Sequence, residues 1–300
     1  MSLLKRFGRR LAAFSAIAAS ACSIAPATEP KAASPAMWKV ADEDTTIYLF
    51  GTIHLLPKDT KWRSAAFDKA AAGSDTLVVE TVIDEDNPAA TMGELFKLAV
   101  SEGLPPLNQR VAPEKKIALE LAIAKSGVPT QVYDKLETWA AAFMLLGVQF
   151  KDLGLDPGSG VESTLKKQFE DRGKAIGQLE TNAEQLGFFD RLSEATQREF
   201  LAAVLDDPKA MNDQFGSMLA AWSRGDVKGI ADSFNADLGE APELRDALLT
   251  QRNANWAKWV KGRLDQPGTV MVAVGAGHLA GNESVLSMLE TQGVKVTRVQ

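Results

Sequence analysis

The stretches TIYLFGTIHL, residues 46–55, and VMVAVGAGHL, residues 270–279, decide the fold of this chain. Each is an apolar run of strand length that is followed by glycine, two further residues, histidine and leucine. This pattern predicts a buried strand whose backbone turns sharply at the glycine. The two stretches lie at opposite ends of the domain, and His54 and His278 are the only histidines in 300 residues. Both histidine side chains are therefore predicted to lie just beyond the ends of two strands with matching sequences.

Outward from these stretches, short apolar runs alternate with segments of helical period. Residues 38–40 and 45–50 predict a strand pair, and strand, helix, strand over 45–79 is the unit of a parallel sheet. Further strands are predicted at 174–179, 270–274 and 294–299. Helices are predicted at 60–72, 89–102, 113–126, 131–149, 161–171, 182–205, 208–224, 226–235, 242–264 and 282–291. We expect an α/β fold with a mixed, mostly parallel central sheet, flanked by helices and carrying a large helical insertion at about 88–170.

The first 36 residues differ from the rest of the chain. Four basic residues among the first ten precede an apolar segment that ends at residue 21, and this is a secretory signal pattern. The apolar segment is too short to span a bilayer. We predict a signal peptide at 1–21, a flexible linker at 22–36 and a single domain at 37–300. The protein is therefore expected to be exported, as a periplasmic protein or a bacterial membrane lipoprotein.

Cys22 is the only cysteine and directly follows the predicted signal. The preceding Ala19-Ser20-Ala21 resembles a lipoprotein processing site, at which Cys22 would be acylated and anchored to a membrane. Ordinary signal cleavage, at Ala21 or after Ala27, is the open alternative. In either case the domain at 37–300 contains no cysteine, which excludes disulfides and thiolate metal ligands within it.

The charge pattern gives no reason to expect a nucleic-acid partner. The formal net charge is -6, and no run of lysine or arginine follows the first ten residues. Phosphate backbones are bound by basic patches, which this sequence lacks.

Titratable side chains follow four of the predicted strands. His54, Glu80, Glu180 and His278 each stand at or just beyond a strand end. In open parallel sheets, ligands bind in the crevice at the carboxyl ends of the strands. Two imidazoles and one or two carboxylates in such a crevice suit zinc, manganese, cobalt or iron. For either glutamate alone, a solvated strand end or a helix cap is an equally good interpretation.

Two further candidate residues stand on predicted helices. Glu162 lies at a helix start, where the helix dipole favours a carboxylate without any catalytic role. Arg252 lies near the start of a long helix, where an exposed ion pair is the ordinary interpretation. Its alternative role is to hold a substrate carboxylate or to stabilise an oxyanion.

The two opening stretches resemble the signature segments of the TraB/GumN family, also called TraB/PrgY/GumN. The resemblance covers about residues 37 to 300, and the paired Gly-x-x-His segments are its most specific part. One departure is Glu162, at which the family pattern has aspartate, so that the carboxylate is shifted by one methylene. Other matching landmarks are LVVE at 77–80, GLDP at 154–157, GVE at 160–162, LET at 179–181, RN at 252–253 and WA at 256–257.

The resemblance implies a relation to the Tiki proteins, membrane-tethered metalloproteases that use manganese or cobalt. It implies that His54, His278 and Glu80 are catalytic or metal-binding. We therefore predict a divalent-metal-dependent hydrolase, of peptidase type, that acts on peptides or proteins in the bacterial envelope with manganese, cobalt or zinc. Glu80 or Glu180 would serve as ligand or general base, Arg252 as oxyanion stabiliser and Glu162 as a further catalytic candidate. The alternative is a non-catalytic envelope protein that binds a metal, haem or a peptide in the same crevice.

Overall fold

The computed structural model describes residues 33–57, 60–82, 93, 96–101, 103–156, 159–238 and 241–300. The predicted signal peptide, Cys22 and most of the predicted linker lie outside the described residues, as does half of the predicted helix at 89–102. What was predicted for these segments therefore stays a prediction. Residues 32–300 form one compact unit.

Six of the described strands form the central sheet, in the order β6-β4-β7-β2-β1-β8. The strands are β1 Met37–Ala41, β2 Thr45–Thr52, β3 Leu56–Pro57, β4 Thr76–Val79, β5 Leu155–Asp156, β6 Ala175–Gln178, β7 Gly268–Gly275 and β8 Thr297–Arg298. The four strands β6, β4, β7 and β2 run parallel, whereas β1 pairs with both β2 and β8 in antiparallel fashion. The remaining two strands, β3 and β5, form a separate antiparallel pair. The predicted mixed, mostly parallel sheet is confirmed.

The two stretches that opened the sequence analysis become neighbours in this sheet. Strands β2 and β7 pair in parallel over their whole length, with Thr52 opposite Gly275. Strand β7 also lies between β2 and β4. The segment of the chain that connects β2 to β4 therefore passes across β7. Residues that are more than 200 positions apart therefore leave the sheet side by side, at the same edge.

Helices cover both faces of the sheet, because the buried parallel strands are apolar on both sides. They are α1 Ala65–Gly73, α2 Lys116–Ser126, α3 Thr130–Tyr133, α4 Thr138–Asp152, α5 Val161–Glu170, α6 Asn182–Asp190, α7 Glu194–Val204, α8 Pro208–Ser223, α9 Val227–Leu238, α10 Pro242–Arg245, α11 Gln251–Arg263 and α12 Val285–Thr291. A 3₁₀ turn, Ala276–Leu279, follows β7, and a π-helical segment, Asp246–Thr250, precedes α11. In the part of the chain that the structure describes, no helix has both the length and the apolar character needed to cross a membrane.

Alternate residues of β7 face different helical layers, as the two-residue period of a strand requires. Met271 and Ala273 pack in a core with residues of α1, α5, α8 and α9. Val270, Val272 and Val274 pack in a second core with residues of α11 and α12. A third core joins α2 and α4 to α7. The helical insertion predicted at about 88–170 thus packs with a helix beyond residue 170, α7. Helix α5, which lies within the predicted insertion, packs against the sheet instead.

Several predicted elements are shorter or divided in the structure. The predicted helix at 182–205 is two helices, because the Ser193 side chain accepts a hydrogen bond from Thr196 N–H and caps the start of α7. The predicted helix at 60–72 begins only at Ala65, where Ser64 provides the same cap. The predicted terminal strand at 294–299 is reduced to β8, the two residues that pair with β1.

Candidate active site

The carboxyl ends of the parallel strands bring the predicted site residues together. Glu80 directly follows β4, and the other strand-end residues stand two or three positions beyond β2, β6 and β7. Arg252 reaches this edge from α11, and Glu162 from the first turn of α5. Hydrogen bonds and ion pairs link all six candidates into one network, whose members are His54, Glu80, Glu162, Glu180, Arg252 and His278.

Both imidazoles turn their Nε2 atoms toward one oxygen of Glu80. The distance to Glu80 Oε1 is 3.8 Å from His54 Nε2 and 3.9 Å from His278 Nε2. Gly275 lies beneath this meeting point. A Cβ atom at Gly275 would stand 3.2 Å from Glu80 Oε1, 3.3 Å from His54 Nε2 and 3.6 Å from His278 Cδ2. The glycine therefore leaves a small space that is bounded by two imidazoles and a carboxylate.

His54 is the exposed member of the network, and Glu162 orients it. Its side chain is 60% exposed, and its Nδ1 atom lies 2.7 Å from Glu162 Oε1. The Thr52 hydroxyl donates a short hydrogen bond to the same carboxylate oxygen. The negative charge of Glu162 raises the pKa of His54 above its ordinary value. The ring is therefore anchored through Nδ1, and its Nε2 atom faces Glu80.

His278 is buried and has a polar partner on each ring nitrogen. Nδ1 lies 2.6 Å from Asn253 Oδ1, and Nε2 lies 3.2 Å from Arg252 Nη1. The ring also packs on Trp256, with the ring centroids 4.3 Å apart. Burial, reinforced by the positive charge of Arg252, lowers the pKa of His278 to about 3. This imidazole is therefore neutral at ordinary pH.

Arg252 is the central cation of the network. Its Nη2 donates to Glu80 Oε2 at 2.7 Å and to Glu180 Oε2 at 2.9 Å, and its Nε lies 3.1 Å from both Glu180 oxygens. Trp256 Nε1 donates to Glu180 Oε1 at 2.9 Å, and the guanidinium carbon stands 4.7 Å from the Trp256 ring centroid. Both oxygens of Glu180 are thus used in holding Arg252. The predicted exposed ion pair is instead a buried one, since the Arg252 side chain is only 8% exposed.

The two buried carboxylates have pKa values that move in opposite directions. Burial raises the pKa of Glu180 and outweighs the attraction of Arg252. Burial acts in the same direction on Glu80, but the positive charges that His278, His54 and Arg252 carry at low pH, together with the Gly275 N–H, which donates to Oε1 at 2.7 Å, lower the pKa of Glu80 to about 2. Gln185 Nε2 lies 3.2 Å from the other oxygen, Oε2. Glu80 is accordingly ionised at any ordinary pH.

The pH dependence of the free energy of unfolding, compared between wild type and Glu80→Gln, tests this ionisation. Because the folded-state pKa of about 2 lies below the ordinary value of 4.5, the stabilisation from the carboxylate is complete above pH 4.5 and is lost as the pH falls toward 2. The difference in unfolding free energy between wild type and Glu80→Gln should therefore shrink across that window, as measured by urea denaturation at a series of pH values. Glu290→Gln, on the exposed surface of α12, controls for the loss of a charge. A difference that stays constant through the window would contradict the assignment.

Side chains that could bind a metal ion are present, but their ligand atoms are too far apart to bind one ion together. Within the described ranges, no three or more His, Cys, Asp and Glu side chains are already grouped so that they could hold a metal ion. Around a small tetrahedral ion with bonds near 2.1 Å, ligand atoms stand about 3.4 Å apart. The Nε2 to Oε1 separations are 3.8 Å and 3.9 Å, and Arg252 Nη1 occupies the lone-pair side of His278 Nε2. For His54, His278 and Glu80 to hold an ion, both Nε2 atoms would have to move closer to Glu80 Oε1 by a few tenths of an ångström, and Arg252 would have to release His278.

Several residues of the network carried no assigned role in the sequence analysis. Asn253 and Trp256 appeared there only as family landmarks, and their signal was their closeness to Arg252 on a predicted helix, Asn253 as the next residue and Trp256 four positions on, on the same helix face. Gln185 stands on α6, one turn beyond Thr181, whose side chain caps the start of that helix. No sequence pattern around Gln185 could have identified it. Thr52 and Gly275 occupy matching strand ends, but only the register of β2 and β7 shows their roles.

The fold and the site together define a class of protein. It is an α/β protein whose mostly parallel sheet ends in a buried carboxylate–guanidinium–imidazole network, at the edge where such sheets bind ligands. The chain matches the model of the TraB/PrgY/gumN family over residues 36–298 and belongs to that family. It is similar to Uncharacterized protein YbaP of Escherichia coli strain K12 and of Shigella flexneri, with 25% identity over 252 residues that cover 81% of this chain and 87% of each relative. No solved structure matches the chain.

Proposed function

We propose that this protein is a divalent-metal-dependent hydrolase, of peptidase type, that acts on peptides or proteins in the bacterial envelope. The observation that carries the proposal is the meeting of two imidazole Nε2 atoms and Glu80 Oε1 over Gly275. Two histidines and one carboxylate are a common ligand set of catalytic zinc sites. The envelope location rests on the export pattern before residue 22.

The chemistry of the donor set fits a divalent ion. Each imidazole is anchored through Nδ1, one by Glu162 and the other by Asn253, which is the arrangement that orients metal-binding histidines. A manganese, cobalt or zinc ion bound by His54, His278 and Glu80 would supply a bound water of lowered pKa and would polarise a scissile carbonyl. The low pKa of Glu80 and the neutral His278 leave these two groups in the protonation state that metal ligation requires, whereas His54, whose pKa Glu162 raises to about 9, would have to release a proton to bind the ion.

The remaining residues orient the reacting groups. Glu180 and Trp256 hold Arg252, so we assign Glu180 to positioning rather than to the general-base role expected from the sequence. Arg252 fixes one oxygen of Glu80 and leaves the other, Oε1, toward both imidazoles. Arg252 Nη1 is the donor nearest to His278 Nε2, and it is the group placed to stabilise an oxyanion there.

Access to the network is from the side of His54. The His54 side chain is 60% exposed, whereas Glu80 and His278 are 7% and 8% exposed. A substrate carbonyl would therefore approach over His54 and reach Glu80 and Arg252 from there.

Metal analysis of the purified full chain, coupled to cleavage of a peptide library with manganese, cobalt or zinc added, tests the proposal. We expect stoichiometric metal and peptide cleavage in wild type, and loss of both in His54→Ala and His278→Ala. Glu80→Gln separates two roles, because loss of metal marks a ligand, whereas retained metal without cleavage marks a general base. Glu290→Gln, on the exposed surface of α12, should match wild type.

Two outcomes would overturn the proposal. Wild type that binds no divalent metal would remove the metal site. Stoichiometric metal that disappears in the histidine variants, without cleavage of any peptide, would favour a non-catalytic envelope protein that binds a metal, haem or a peptide at the same edge of the sheet.

A further inference from the structure

Asn253 is buried between α11 and the turn after β7, and both ends of its amide have partners. It is 1% exposed. Its Nδ2 donates to the Glu283 backbone carbonyl at 2.7 Å, and its Oδ1 stands 2.6 Å from His278 Nδ1. A carbonyl oxygen can only accept a hydrogen bond, so the amide nitrogen must face Glu283. The amide oxygen must then face His278.

This orientation determines where the His278 proton lies. The Asn253 oxygen accepts, so His278 Nδ1 must carry the hydrogen. On the other side of the ring, Arg252 has only donors, so His278 Nε2 must present its lone pair. The contact to Asn253, at 2.6 Å, is much shorter than the contact to Arg252, at 3.2 Å. The asparagine is therefore the stronger restraint on the ring.

We propose that Asn253 is a positioning residue that holds His278 as the neutral Nδ1–H tautomer, so that Nε2, which lies 3.2 Å from Arg252 Nη1 and 3.9 Å from Glu80 Oε1, carries a lone pair and no hydrogen. The use of that lone pair as a metal ligand rests on the proposed function. The tautomer does not, because it follows from the contacts of the metal-free chain. Asparagine is suited to this position since one amide both accepts from the imidazole and donates to a backbone carbonyl.

The two histidines make the tautomer directly measurable. A full-length chain labelled with ¹⁵N-histidine gives signals from only two imidazoles, and a His54→Gln variant assigns them. In metal-free wild type we expect the His278 Nε2 signal to be that of an unprotonated ring nitrogen and the Nδ1 signal that of a protonated one. A protonated Nε2 in wild type would overturn the proposal, whatever the metal experiments show.

Asn253→Leu removes the acceptor with little change of volume. We expect a second set of His278 signals, with the proton on Nε2, and a fall of about 10–100-fold in affinity for zinc measured by titration. Asn255→Leu is the matched control, since Asn255 is exposed on the same helix, and it should change neither quantity. A single unchanged tautomer in Asn253→Leu would overturn the proposal, because Arg252 alone would then fix the ring.

Asn253→Asp keeps an acceptor for His278 Nδ1 and loses the donor to Glu283. It should retain the proton on Nδ1, even if the leucine variant does not fold, and a ring whose single proton lies on Nε2 in this variant would also overturn the proposal. If the wild-type tautomer is as expected but the chain binds no zinc, manganese or cobalt, the proposed function fails while the positioning role of Asn253 stands. The two failures are therefore distinguishable.

Discussion

Replacing Arg252 by methionine is expected to lower the free energy of unfolding by about 3–5 kcal/mol. The substitution keeps much of the side-chain volume but leaves Glu80 and Glu180 buried without their shared cation, at 7% and 6% exposure. An uncompensated charge in such surroundings is far more costly than a lost surface pair. Urea denaturation, followed by tryptophan fluorescence, measures the loss.

Two comparison variants separate this effect from a general loss of charge. Arg198→Met breaks an ion pair with Glu194 on α7, in which both partners are about one-third exposed, and should cost about 0.5 kcal/mol or less. The double variant Arg252→Met with Glu180→Leu should be more stable than Arg252→Met alone, since only Glu80 then remains uncompensated. An Arg252→Met loss no larger than that of Arg198→Met would contradict the role of Arg252 as the cation of a buried network.

Gly275→Ala is expected to remove metal binding and to lower peptide turnover by about 100-fold or more, while the fold is retained. The backbone of Gly275 has φ of -49° and ψ of 134°, a conformation that alanine adopts without strain. The added methyl would enter the space between Glu80 and the two imidazoles, at 3.2 Å from Glu80 Oε1 and 3.3 Å from His54 Nε2. It would thus take the place of the proposed ion.

Gly177→Ala is the matched control for this glycine. Gly177 lies in the parallel strand β6, which β4 separates from β7, and a Cβ atom there would make one ordinary contact, at 3.6 Å from a Val78 methyl. Its metal content and turnover should equal those of wild type. Zinc titration and thermal unfolding of both variants provide the test. A Gly275→Ala protein that binds zinc as tightly as wild type would place the ion elsewhere.

Much of the fold was predictable because its signals are local. The strand before each Gly-x-x-His segment and the strand before Glu80 depend on residues within a few positions of one another. The boundaries that were missed have local causes as well, such as the Ser193 cap that divides the predicted helix at 182–205. Serine is common in many other settings, so the sequence does not mark this one as a cap.

The contacts of the site were less predictable because they join distant residues. Glu80 and Glu180 have the same sequence signal, a carboxylate after a short apolar strand. Their surroundings differ only in the folded chain, where Glu80 receives the Gly275 N–H and faces both histidines while Glu180 binds Arg252 and Trp256. The pKa values of the two groups consequently move in opposite directions.

The sequence by itself determined that this chain has an α/β fold and that its histidines and two of its glutamates stand at strand ends, because hydrophobic period and glycine turns act over a few residues. Only the tertiary structure decided that β7 lies between β2 and β4, that Arg252 is buried among Glu80, Glu180 and His278, and that Asn253 faces His278 Nδ1. Strand order and side-chain direction depend on the packing of whole layers, and local sequence patterns do not specify which distant partners that packing brings together.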